Sequence, residues 1–97
     1  MSDNNNTELF DSVKRAIRWK HSSLDDEIRD TIKEAQYELI RVGVDSAAVQ
    51  NPGKLIIRAI KTYAKASFAD SQADRDGFMA AFRVQADNLR KSTRIRQ

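Results

Sequence analysis

Residues 23–44 read SLDDEIRDTIKEAQYELIRVGV, a helix whose start, buried seam and stop are all written into it. The Ser23 hydroxyl can accept a hydrogen bond from first-turn amides, and Asp25, Asp26 and Glu27 sit where the positive end of the helix dipole favours carboxylates. Ile28, Ile32, Ala35, Leu39 and Val42 recur at steps of four, three, four and three, which lines them along one helical face. Gly43 suits a left-handed cap, with Val44 placed to fold back on the last turn. A capped helix with one apolar seam must pack against something, and nothing along it forms a catalytic set.

Outward from this helix the chain reads as helical throughout. Residues 1–6, with three consecutive asparagines and nothing apolar to anchor them beyond Met1, are expected to form a disordered arm. Thr7 is the expected cap of a first helix with Phe10, Val13 and Ile17 inward. Trp19 falls at or just past its end, and residues 20–23 form a polar turn. Downstream, residues 45–51 are a connection with room for one extra turn at 46–49. Asn51-Pro52 is expected to open the next helix, asparagine as cap and proline at the first helical position. Its apolar face is broad: Ile56, Ile60, Tyr63 and Ser67 trace one line, and Ile57, Ala64 and Phe68 another, so it should be the most buried helix of the set. After a polar break at 70–74, Asp74 is expected to cap a last helix with Phe78, Phe82, Ala86 and Leu89 inward. The fold class is therefore all-α, a small bundle of four main helices with a long central one. One helical domain, 7–92, lies between the arm 1–6 and a flexible basic tail, 93–97.

With 97 residues there is room for one core. The absence of cysteine excludes disulfides and thiolate metal sites. The polar, acidic start speaks against a signal peptide, and no apolar run approaches the length of a membrane helix. The net charge of +3 is too small to imply nucleic-acid binding by itself, but its distribution is informative. Residues 1–30 hold seven acids against five bases, whereas Arg90, Lys91, Arg94 and Arg96 end the chain with no acid among them. An acidic-leaning front and a basic end allow one copy to attract the next.

Catalytic groupings are missing. His21 is the only histidine, so a histidine metal pair is impossible, and no signature joins it to Ser22, Ser23 or Ser46. Asp25, Asp26 and Glu27 could be drawn as a magnesium site, but the helix dipole already accounts for them. Gly43, Gly53 and Gly77 lie too far apart to cradle a phosphate. The expectation is a non-enzymatic protein without cofactor or metal.

Two charge stripes say more. Lys54, Arg58, Lys61 and Lys65 step by four, three and four along one helix that carries no acid before Asp70. Asp26, Asp30, Glu34 and Glu38 step by four each time along the long helix, a stripe that drifts slowly around the axis and sets like charges beside one another. Three readings stay open: solvated faces, complementary surfaces within or between subunits, or bases aimed at DNA phosphates. Trp19, flanked by Arg18 and Lys20, belongs either to the core edge or to an interface.

The order Val13-Lys14, Ile17, Leu24-Asp25-Asp26-Glu27-Ile28, Ile32, Ala35, Leu39, Gly43-Val44 resembles the head–tail connector (adaptor) proteins of long-tailed phages, also described as DNA-packaging or head-completion proteins. Pro52, Leu55, Ala59-Ile60, Tyr63, Phe68, Phe82 and Leu89 continue the likeness, which spans about residues 9–92. The resemblance implies a structural virion protein of the phage neck, assembled in the host bacterial cytoplasm and encoded by a free phage or a prophage. Its subunits form a homo-oligomeric ring below the portal protein, extend the DNA channel and dock a tail or head-completion protein. By that analogy the helix over 24–42 packs against neighbours in the ring, and the segment from Arg90 onward (Arg90, Lys91, Arg94, Arg96) reaches toward the portal. The two stripes and Trp19 become subunit-interface or DNA-channel residues, with non-specific contact to genomic DNA. The connection 45–51 is short, which leaves little for a protruding loop there. The rival reading is a small helical DNA-binding protein, a phage regulator using the 54–65 face. Few amides or hydroxyls on that face are suited to base reading.

Overall fold

The computed structural model describes the backbone of residues 2–17 and 25–92 and the side chains of residues 7–17 and 25–92. It is all-α, with helices α1 (Ser2–Ile17), α2 (Asp25–Arg41), α3 (Ser46–Gln50), α4 (Lys54–Ser67) and α5 (Gln72–Ser92). The expected Ser23 cap, the turn at 20–23, Trp19, His21 and the tail 93–97 with Arg94 and Arg96 lie outside the described residues. Among those described, no helix is long and apolar enough to cross a membrane.

The long helix ends as its sequence dictates. Gly43 takes φ 109°. Its N–H donates to the Ile40 carbonyl at 3.0 Å, and the Val44 N–H donates to Leu39 at 2.9 Å, the paired bonds of a Schellman cap. Val44 and Leu39 are both buried in the core. Ile28, Ile32 and Ala35 are buried along the expected seam, and Val42 is half-buried at its end. Thr31 is buried too, because its hydroxyl spends its hydrogen on the Glu27 carbonyl at 2.8 Å.

Three helix starts differ from the sequence reading. The first helix opens at Ser2 rather than Thr7, so the backbone expected as a disordered arm is helical from residue 2. Once a helix is nucleated, each added residue gains a backbone bond for one more fixed conformation, which even asparagines tolerate. Leu9 consequently lies well inside α1 and joins Val13 in the core, while Phe10 and Ile17 pack at its margin.

Before α4, Asn51 closes α3 by donating its N–H to the Ala47 carbonyl at 3.1 Å. Pro52 forbids Asn51 a helical conformation (φ −123°, ψ 69°), and Gly53 becomes the residue from which α4 departs, its carbonyl accepting from Ile57 at 3.0 Å. Before α5, the Ser71 hydroxyl accepts from the Asp74 N–H at 3.1 Å, so Ser71 is the cap and Asp74 a first-turn carboxylate.

The short α3 fills the place foreseen for an extra turn. Asp45 caps it by accepting from the Ala48 N–H at 3.1 Å, and Val49 plugs the core beneath α2. Helix α4 packs against α1, α2 and α5 at once. Its inward residues Ile56, Ala59, Ile60 and Ala64 are buried, with Tyr63 edge-on to the Phe82 ring at 5.1 Å between centroids. Fully burying an isoleucine or leucine contributes about 1.5–3 kcal/mol, so the seams of α2 and α4 supply much of the cohesion.

Candidate functional site

The inward positions of α4 fix where its bases go. With Ile56, Ile60 and Ala64 turned to the core, Lys54, Arg58, Lys61 and Lys65 fall on the opposite side. Lys54, Arg58 and Lys65 are exposed and Lys61 is half-buried. None of the four forms an ion pair among the described residues. Lys65 Nζ lies 6.0 Å from the Phe78 ring centroid, a weak cation–π contact between α4 and α5.

The acidic stripe of α2 drifts as its four-residue step requires. Asp26 stands in solvent and meets only Arg29, at 3.5 Å. Glu38, at the other end, is half-buried and held bidentately by Arg41, whose Nε lies 3.0 Å from Glu38 Oε1. That hydrogen bond from Arg41 keeps the Glu38 carboxyl below the usual carboxylate range. Between them, Asp30 and Glu34 are exposed and form no ion pair among the described residues. The two stripes are thus not joined within the subunit. The acidic stripe does reach Tyr63 of α4, whose phenol is pushed up by burial and then by the nearby charges of Glu34 and Glu38.

Asp25 has another task. It accepts from Lys14 Nζ at 2.9 Å and ties α2 to α1. The other link at this corner is the Arg29 guanidinium, 4.4 Å from the centroid of the Phe10 ring.

Arg90 and Lys91, the start of the segment that the resemblance directs toward the portal, lie in the last turns of α5, within the expected helical domain. Both grip Asp87, Arg90 at 2.6 Å and Lys91 at 3.1 Å, and together they hold its carboxyl below the usual range. The stem of Arg90 also lies over Gly43. A Cβ there would come within 2.9 Å of Arg90 Cδ, so a side chain at 43 would collide with the arginine. Arg90 is therefore a packing residue that covers the C-terminus of α2, where a positive charge complements the helix dipole.

Two surface features went unread in the sequence. Tyr37 and Ile40 project from α2, and Leu55 and Val84 from α4 and α5, all as exposed large apolar side chains. Leu55 and Val84 flank a groove of about 320 Å³ between α4 and α5, with Arg58, Gln85, Asn88 and Leu89 along it. Val84 falls off the inward stripe of α5, and a β-branched residue at a wet helical position was the available signal. On the other flank of α5, Tyr63, Arg41, Arg83 and Arg90 line a second groove of about 490 Å³. No protein-family model, curated protein or solved structure matched the chain.

Proposed function

We propose that this chain is a structural subunit of a phage head–tail connector. In that role it forms a ring below the portal, extends the DNA channel and offers a docking face to the next neck or tail component. The observation that carries the reading is the unspent charge. The α4 bases Lys54, Arg58 and Lys61 have no acidic partner among the described residues, and neither Asp30 nor Glu34 has a basic one. A ring needs two different complementary surfaces on each subunit, and an acidic α2 face with a basic α4 face is such a pair. Screened surface pairs contribute at most about 1 kcal/mol each, so they set register while apolar contacts hold copies together. The resemblance along residues 9–92 supplies the virion context, and the two charged surfaces support self-association.

A second reading draws on the same face. Four bases on α4 without an acid suit the phosphate backbone of duplex DNA, as in a small phage regulator. Mass in solution, measured alone and with portal protein, separates the two. A connector gives ring-sized species and no salt-sensitive duplex binding. A monomer or dimer that binds DNA with an affinity falling steeply in salt favours the regulator.

A further inference from the structure

We propose that the groove between α2 and α5, floored by Tyr63, receives a segment of a different protein in which a large apolar side chain stands next to a carboxylate. The site goes beyond the assembly reading and stands whether or not the chain forms rings. Of the two charged stripes only Glu38 lines it, and Arg41 already holds that carboxylate. The groove, about 490 Å³, falls within the size range of ligand sites. Val42, Tyr63, Met79, Phe82 and Ala86 give it an apolar floor. Tyr63 and Met79 are only half-buried, so an apolar occupant takes further area out of water. The unbranched thioether of Met79 also adapts its shape to what it meets.

Charge decides which wall meets the carboxylate. On the α5 side Arg83, Arg90 and Lys91 stand against Asp87, whereas Glu34 and Glu38 outweigh Arg41 on the α2 side of Tyr63. Arg90 and Lys91 are spent on Asp87, but Arg83 is exposed and forms no ion pair among the described residues. A guanidinium is a planar fork that holds a carboxylate through two parallel bonds. The chain's own exposed apolar side chains do not bring an acid to such a contact. Leu55 and Val84 adjoin Lys54 and Arg83, and Tyr37 and Ile40 share their end of α2 with Arg41. The occupant is therefore a partner that supplies the carboxylate, not a second copy.

The groove floor carries its own reporter, because the chain has only two methionines, Met1 and Met79. The full chain, isotope-labelled at its methionine methyls, is titrated with the peptide acetyl-Glu-Leu-Phe-Glu-amide and followed by NMR. The Met79 methyl signal should shift saturably, and the same peptide with lysines in place of its glutamates should leave it still. R83E should weaken binding about 10-fold or more and R83A about 5-fold, as loss of a charge-assisted contact requires. K33E makes the same charge change in the groove between α1 and α2, so it should bind like the wild type. A Met79 signal that stays put at millimolar peptide overturns the site. An equal response to the lysine peptide, or equal losses from R83E and K33E, overturns the role of Arg83. A Met79 signal that moves with chain concentration alone puts a second copy in the groove and overturns the choice of partner. Melting curves check that each variant folds, and R83A carries the comparison if R83E does not. Ring formation is read separately by mass in solution, so its failure leaves this site untouched.

Discussion

Tyr63 of α4 is the residue that feels the acidic side of α2. Burial disfavours its phenolate first, and the carboxylates of Glu34 and Glu38 disfavour it further. The neutral form is thus the one the fold prefers, so this contribution is intact at neutral pH and is lost as pH climbs past the ordinary tyrosine range. The chain has two tyrosines, and in Tyr37→Phe the absorbance titration reports Tyr63 alone. Its midpoint should lie above about 10, the usual tyrosine value, and a midpoint at or below that contradicts the arrangement. Gly43 is the other residue with a sharp expectation. At φ 109° with Arg90 Cδ overhead, Gly43→Ala brings both backbone strain and a collision. Denaturant unfolding should give a loss of about 1–3 kcal/mol, and an unchanged midpoint would mean that α2 does not end as described. This cap was legible from the sequence, because glycine followed by an apolar residue closes a helix by purely local geometry. The role of Arg90 was not, since it depends on Gly43, a neighbour far away in sequence.

At the scale of elements, apolar spacing located every main helix, and errors gathered at their starts. Asp74 and Ser71 are both good caps, three residues apart, and only the bond from the Asp74 N–H to the Ser71 hydroxyl decides between them. Unfolding of S71A should therefore show a loss of about 0.5–2 kcal/mol, and D74A a smaller one from the helix dipole alone. The reverse order would return the cap to Asp74. Asn51-Pro52 misled in a similar way: its proline was read as the opening of α4, whereas it ends α3 and leaves Gly53 at the boundary. The inward residues of α5, by contrast, fall as the steps of four, four and three require, with Phe82, Ala86 and Leu89 buried and Phe78 half-buried. Ile60→Ala on α4, where the side chain is fully buried, should cost about 2–5 kcal/mol in the same assay. A loss under 1 kcal/mol would deny α4 its central place in the core.

For the whole molecule, a slab 45 × 35 × 18 Å is thin enough that each main helix keeps an outer side. The sequence marked the charged part of that outer surface, because lysines and acids at helical spacing announce a face. It did not mark the apolar part, because isolated residues such as Leu55 and Val84 look like ordinary surface scatter until the fold sets them side by side. Charge reversal separates assembly from folding here. K54E/R58E removes two exposed bases that hold no partner among the described residues, so its melting curve should match the wild type within about 0.5 kcal/mol while self-association is lost. Parallel loss of fold and assembly would show that these bases serve the subunit itself.

The most direct measurement is the sedimentation-equilibrium mass of the wild-type chain across concentration and salt, alone and with portal protein. Complexes at multiples of 11.0 kDa that weaken as salt rises are predicted, because the two charged faces meet between copies. A mass fixed at 11.0 kDa under every condition would mean that those faces only meet water.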